Sequence, residues 1–283
     1  MTLKQLEHHY INVLASLYGE EEAKQLFFLS AERIIGLSRS QLILQYGNEI
    51  SEHEGGIFLD MLSQLKEGVP LQHITEEAWF YGLRFKVNAA VLIPRPETEE
   101  LVQWVISTVS ESKTPLSGLL DIGTGSGCIA ITIKKNCPAL IVTALDISAE
   151  ALEVAAENAE YQHTQIRFIH SDILEYEGVE KYDIIVSNPP YITLNERDEM
   201  HRNVLEHEPA LALFVTDDNP LLFYKGIADF ATRSLKAGGR LFFEINEHLG
   251  SETVEMLRSK GFVNINLQKD MQGKDRMIRC SFN

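Results

Sequence analysis

The chain has 283 residues and carries 41 Asp and Glu against 25 Lys and Arg, a formal net charge of −16 at pH 7. That length suits one large domain or a medium domain with a small one, and a field of that sign repels nucleic-acid phosphates at long range, which disfavours duplex DNA or bare RNA as a direct partner. Three cysteines with no CxxC pair, an N-terminus MTLKQLEHHY without a signal-peptide core, and no run of about 18 apolar residues predict a cytoplasmic chain with reduced thiols and no membrane span.

Residues 1–75 read as a small helical bundle. In LKQLEHHYINVLASLYG, the residues Leu3, Leu6, Tyr10, Val13, Leu14 and Leu17 recur at helical spacing. The next segment, EEEAKQLFFLSAERIIG, places Ala23, Leu26, Phe27 and Ile34 on one stripe. SRSQLILQYG and GIFLDMLSQLKEG predict two shorter helices. Glycines at 19, 36, 47 and 68 fall at the ends. A structural bundle and a partner-docking module fit this pattern equally. Residues 76–96 include AWFYGLRFKVNAAVLIP, rich in aromatic and β-branched residues, and predict a connector hairpin. PRPETEELVQWVISTVS then opens a helix, with Pro96 in its first turn and Glu97, Glu99 and Glu100 at the positive end of its dipole.

Residues 97–283 form the last predicted domain. From residue 118 strands alternate with helices: GLLDIG, LIVTALDIS, IRFIHSD, YDIIVSNPP, GRLFFEI, FVNINLQ and RMIRCSF read as seven strands, with helices expected between each of the first five. The early strands are apolar nearly throughout, as strands covered on both faces are. The expectation is a doubly wound, Rossmann-like α/β sheet. The link KDMQGKD is too short for a parallel crossover, so the last strand should run antiparallel.

The first strand turn, LLDIGTGSGCIA, carries Gly123, Thr124, Gly125, Ser126 and Gly127 in a GxGxG pattern. Glycine lets a backbone approach a ligand closely and adopt positive φ. Asp146 ends the next strand, 19 residues after Gly127, with Ile147 beside it. An acid there can accept both hydroxyl protons of a ribose. A tight structural turn is the competing reading of the glycines alone. No Lys or Arg flanks the loop and the GxxxxGK[ST] phosphate pattern is absent, so the preferred ligand is an adenosine without a phosphate, such as S-adenosylmethionine. In HSDIL, Asp172 reads either as a group for the adenine amino nitrogen or as a turn residue. Ile173 follows it as an apolar neighbour for the base.

SNPPYIT halts the fourth strand, whose carboxyl end should lie at the topological switch point. Asn188 offers a side-chain carbonyl. Pro189 and Pro190 stiffen the backbone and leave the Pro189 carbonyl outside a local turn. Those two oxygens can converge on a planar –NH2 group, aim its nitrogen at a sulfonium methyl and stabilise the charge that grows on it. The Tyr191 face favours the same charge. No nucleophile or strong base is required. The nine histidines show no HExxH and His8 and His9 are adjacent, so no metal site is expected.

VLIPRPETEELV, LLDIGTGSGCIA, ALDIS and VSNPPYI, in that order behind a helical front, resemble the HemK/PrmC family over about Leu3 to Asn283. The resemblance implies a class I methyltransferase that uses S-adenosylmethionine to methylate the side-chain amide (N5) of the glutamine in the Gly-Gly-Gln motif of peptide chain release factors, modulating translation termination. It implies that Gly123 to Gly127 wrap the cofactor, that Asp146 holds the ribose and that Ile173 lies against adenine. Asn188 would contact both cofactor and glutamine, with Pro189, Pro190 and Tyr191 completing the glutamine pocket, and the helical front would grip the release factor. Arg95 and Glu97 either shape the substrate mouth or belong to a rigid lead-in to the helix. Three departures from the family pattern, at His73 and Thr75, at Asn246, and at FVTDDNP, are expected to lie away from the catalytic motif. The competing functions are an adenine-amino methyltransferase of DNA or RNA, which shares NPPY, and a cofactor-binding protein without catalysis.

Overall fold

A computed structural model describes residues 1–200 and 202–282, the side chains of 198 and 199 excepted. Two compact units emerge, Met1–Glu77 with His201–His207, and Ala78–Met200 with Glu208–Asn283. The hairpin expected as a separate connector falls with the second unit.

The first unit holds α1 (Leu3–Tyr18), α2 (Glu20–Ile35), α3 (Arg39–Leu44), α4 (Glu52–Lys66) and α5 (Leu71–Thr75). Thr2 with Gln5, and Ser51 with Glu54, cap α1 and α4 by reciprocal side-chain bonds to orphan N–H groups. Tyr10, Phe27 and Phe58 meet at the centre, and the Tyr10 hydroxyl donates to the Phe58 carbonyl at 2.7 Å. Leu17, expected on the buried stripe of α1, is exposed instead. The neighbouring Tyr18 takes the inner position and donates its hydroxyl to the Leu65 carbonyl at 2.8 Å.

In the second unit β1 (Glu77–Phe80) and β2 (Leu83–Lys86) form the expected hairpin. Tyr81 and Gly82 both adopt positive φ at its two-residue turn, the geometry that matches strand twist. Next comes α6 (Pro96–Ser110), with Arg95 as N-cap and Pro96 in its first turn. The main sheet is built from β3 (Gly118–Ile122), α7 (Cys128–Asn136), β4 (Ile141–Asp146), α8 (Ala149–Tyr161), β5 (Ile166–His170) and β6 (Tyr182–Ser187). After β6 a short parallel pair, β7 (Ile192–Thr193) and β8 (Phe214–Val215), brackets a 3-10 turn, Leu194–Glu199, the helix α9 (Arg202–His207), which belongs with the first unit, and the helix α10 (Ala210–Leu213). The chain finishes with α11 (Leu222–Ser234), β9 (Leu235–Glu244), α12 (Gly250–Ser259), β10 (Val263–Lys269) and β11 (Asp275–Ser281).

Seven strands line up in the order β10-β11-β9-β6-β3-β4-β5. The first five in sequence are parallel and β11 is antiparallel to both neighbours, as the short last link requires. Alternate side chains point to opposite faces. Leu120, Ile122, Ile185 and Phe243 therefore pack under α11 and α12, while Leu119, Ile184, Val186 and Phe242 pack under α6 and α7. The sequence predicts a helix between β5 and β6, and none forms there. Asp172 closes a turn onto Leu174 N–H at 2.9 Å, and Ile173 and Tyr176 anchor the loop in the core instead. Among the described residues no helix is long and apolar enough to cross a membrane.

Candidate active site

The chain order reverses at β3, flanked by β4 on one side and β6 on the other. A crevice at the carboxyl ends of such strands is where a doubly wound sheet binds ligands. The glycine turn leaves β3 there. Gly123 and Thr124 N–H both donate to the Leu145 carbonyl, at 2.8 and 3.1 Å, and the Thr124 hydroxyl donates to Asp121 at 2.6 Å. Burial pushes the Asp121 carboxyl up to about 7. Asn158 of α8 braces the turn from behind by donating to the Ser126 carbonyl at 2.9 Å.

Two of the loop glycines have different duties. A Cβ at Gly125 meets nothing within 4 Å, so the backbone there fronts open space. At Gly127 φ is +80° and a Cβ would sit 2.8 Å from Ile131 Cδ1 and 3.1 Å from Ala155 Cβ. Gly127→Ala is expected to destabilise by about 1–2 kcal/mol from the left-handed backbone and about 1–3 kcal/mol from crowding. Thermal unfolding should show a midpoint lower by roughly 5–10 °C; an unchanged midpoint contradicts the assignment.

Asp146 stands where the sequence placed it. Its Oδ2 accepts Gly125 N–H at 2.8 Å and its Oδ1 accepts Ser148 N–H at 3.0 Å, which joins the glycine turn to the start of α8. Burial raises its carboxyl above the ordinary value, while the N–H groups of Ser148, Gly125 and Ile147 and nearby His170 pull it back. A carboxylate has about four acceptor directions, so acceptor capacity remains for ligand hydroxyls. That carboxylate, the open face at Gly123 and Gly125 and the absence of Lys or Arg in the turn fit a nucleoside without phosphates. Ile147 is exposed beside it.

Asp172 and Ile173 follow β5, and Ser171 N–H donates to the Asp146 carbonyl at 2.9 Å. The Asp172 turn bond uses Oδ1, which is the turn reading of that residue. Ile173 packs with Ile122 and Leu145 in the core and keeps only 8% of its surface exposed, a narrow edge for a base.

On the other side of β3, Ser187 ends β6 opposite Ile122 and donates its hydroxyl to the Ile122 carbonyl at 2.7 Å. Asn188, Pro189, Pro190 and Tyr191 leave the sheet at that point. Among the described residues no peptide bond is cis and no turn hydrogen bond falls on the Pro189 carbonyl. The Asn188 amide Nδ2 donates to Thr98 Oγ1 at 3.2 Å, and Tyr191 donates its hydroxyl to Glu244 at 3.2 Å. Thr98 in turn donates to Glu244 at 2.7 Å. Thr98 and Glu244, which sequence reasoning missed, adjoin the Asn188 turn. Glu244 had a signal, a carboxylate ending an apolar strand at the carboxyl edge of the sheet. Thr98 lay inside IPRPETE without a partner to reveal it.

Asn246 corrects an expectation. It does not lie away from the catalytic motif: its Nδ2 donates to the Tyr191 carbonyl at 3.1 Å and to Glu196, and its backbone N–H donates to Tyr224. Strand β9 runs beside β6, so Asn246, two residues after Glu244, emerges next to the Tyr191 turn. Arg95 is bound to buried Glu208 at 2.5 Å, and the second Glu208 oxygen accepts Ile93 N–H at 3.1 Å. This is the rigid lead-in to α6; the structure does not join Arg95 to the Asn188 group. Burial is the main reason that the Tyr191 hydroxyl and the Glu244 carboxyl are raised, and the charge of Glu97 adds a smaller part to each.

Comparison with known proteins identifies the family. Residues 103–211 match the Methyltransferase small domain and residues 5–75 the PrmC N-terminal domain. A methyltransferase from Pyrococcus furiosus superposes with a TM-score of 0.52 at 18% identity, over 79% of this chain and 98% of that one, a likeness of fold. A release factor glutamine methyltransferase of Bacteroides thetaiotaomicron is 40% identical over 95% of this chain and 96% of its own length. The release factor glutamine methyltransferase of Flavobacterium psychrophilum is 45% identical over the full length of both chains. Identity sustained from the first helix to the last strand exceeds what a shared fold requires, and the chain belongs to the family of release factor glutamine methyltransferases.

Proposed function

We propose that the chain transfers a methyl group from S-adenosylmethionine to the side-chain amide nitrogen (N5) of the glutamine in the Gly-Gly-Gln motif of peptide chain release factors, in the cytoplasm, and so modulates translation termination. The observation that carries this reading is the pairing of β6 with β3, which sets the Asn188 turn one strand away from the glycine turn and Asp146. Bound S-adenosylmethionine supplies a methyl on an electrophilic sulfonium. The protein supplies the geometry. Asp146 would hold the two ribose hydroxyls, Gly123 to Gly127 with Ile147 would line the nucleoside, and Asp172 and the edge of Ile173 would meet the base.

An amide nitrogen is a poor nucleophile because its lone pair is delocalised. Asn188 Oδ1 and the Pro189 carbonyl take its two hydrogens and turn the nitrogen toward the methyl. Positive charge that grows on nitrogen is met by those oxygens and by the Tyr191 ring. The nitrogen lone pair would form the N–CH3 bond as the S–CH3 bond breaks and its electron pair returns to sulfur, leaving S-adenosylhomocysteine, and the methylated amide would then lose one N–H proton to solvent. Pro190 keeps the turn stiff and Glu97 lies near it, while Arg95, held by Glu208, fixes the lead-in to α6. The helical front unit docks the protein substrate. The same two acceptors would suit an adenine amino group, but the relatives are named for release factors and the net charge of −16 opposes a nucleic-acid partner. Labelled S-adenosylmethionine offered with release factor, DNA and RNA in separate reactions should label the release factor alone. Label in DNA or RNA with none in release factor overturns the proposal.

A further inference from the structure

Glu244 closes β9 with its carboxylate buried and both oxygens engaged. Oε2 accepts the Thr98 hydroxyl at 2.7 Å and Oε1 accepts the Tyr191 hydroxyl at 3.2 Å. Thr98 Oγ1 lies 3.2 Å from Asn188 Nδ2. One carboxylate thus stands behind both arms of the Asn-Pro-Pro-Tyr turn.

The two ends of an asparagine side chain have nearly the same shape but opposite hydrogen-bonding character. The transfer needs the carbonyl end toward the substrate. Thr98 has a single hydroxyl proton, and an ionised carboxylate has none to give. Thr98 therefore donates to Glu244 and can only accept from Asn188. Asn188 must turn its NH2 to Thr98, which directs Oδ1 away from Thr98, toward the crevice. We infer that Glu244 is a positioning residue for the reaction: acting through Thr98, it decides which end of Asn188 meets the substrate amide. This rests on the functional reading above.

A protonated Glu244 loses that control. Its own O–H can donate to Thr98, whose hydroxyl is then free to donate to Asn188 Oδ1 and draw the carbonyl inward. Burial pushes the Glu244 carboxyl up to about 7; Arg276 of β11 opposes the rise and Glu97 of α6 adds to it. Tyr191, Tyr224 of α11 and Cys128 of α7 are the other titratable groups that feel its charge. Turnover should then rise with pH through an ionisation near 7.

The test measures kcat and KM for release factor from about pH 5.5 to 9, and affinity for S-adenosylhomocysteine, in wild type, Thr98→Val, Thr98→Ser and Glu244→Gln. Thr98→Val and Glu244→Gln should each lose at least about tenfold in kcat at pH 8, because a small misorientation at the reacting centre is costly. Their cofactor affinity should stay within about threefold. Thr98→Ser keeps the hydroxyl and should retain wild-type kcat and the acidic limb, which Glu244→Gln should lose. If Glu244→Gln fails to bind cofactor, the Thr98→Val and Thr98→Ser pair decides, since both fill the same site. Thr98→Val turning over like wild type, or an acidic limb that survives Glu244→Gln, overturns the inference while leaving the activity in place. A wild type that methylates no release factor removes both.

Discussion

Asn188→Ala is expected to fold, to bind S-adenosylmethionine with affinity changed by less than about tenfold, and to lose on the order of a hundredfold or more in turnover, the usual cost of deleting a preorganised transition-state contact. The mutation removes the side-chain acceptor and leaves the Pro189 carbonyl alone to hold one of two amide hydrogens. Because the lost interaction strengthens as charge grows on nitrogen, the deficit should appear in kcat more than in KM for release factor. Asn188 is half-buried and, among the described residues, its side chain bonds to Thr98 at 3.2 Å, so the fold has little to lose. Steady-state kinetics with purified release factor checks the prediction. Turnover within about threefold of wild type would remove Asn188 from the reaction.

Asp146→Ala should act on binding instead. The two charge-assisted bonds proposed to the ribose hydroxyls, each worth about 1.5–3 kcal/mol, correspond to a loss of at least about a hundredfold in affinity. The same carboxylate also ties Gly125 and Ser148 together, so the glycine turn loosens and the cost grows. Equilibrium binding of S-adenosylhomocysteine, which does not react, isolates the effect. At saturating cofactor the variant should recover much of its turnover, the reverse of Asn188→Ala. Unchanged affinity would mean that the ribose lies elsewhere.

The parts of the site written in one stretch of chain are legible in the amino-acid sequence itself. The glycine turn with Asp146 can be read because backbone demands at a strand end select glycine, and the acid ends the very next strand. Asn188 to Tyr191 can be read because two prolines cannot continue a central strand. The order of β6 beside β3 follows from the doubly wound pattern, and the antiparallel last strand from the length of its link. What escapes is what the sheet assembles from distant segments. Thr98 on α6, Glu244 at the end of β9 and Tyr191 after β6 meet only once β9 has aligned beside β6. Asn246 is misplaced by its sequence for the same reason. The helix expected between β5 and β6 does not form because Asp172 and Ile173 engage a turn and the core, where local pattern cannot show the competition.

Burial of Glu244 carries a cost that its position explains. Its folded pKa lies above the ordinary carboxyl value, so the stability it contributes is complete below about pH 4.5 and declines as pH rises through about 7. The arrangement inferred for catalysis gains over the same interval. A site that is strained at the working pH and relaxed in acid is a common compromise between stability and activity.

Release factor treated with the protein and isotope-labelled S-adenosylmethionine, then digested and mapped by mass spectrometry, should carry one labelled methyl on the side-chain amide of the glutamine in Gly-Gly-Gln. Replacing that glutamine in the release factor should abolish labelling. A methyl found on any other residue, or labelling that persists without that glutamine, would contradict the account.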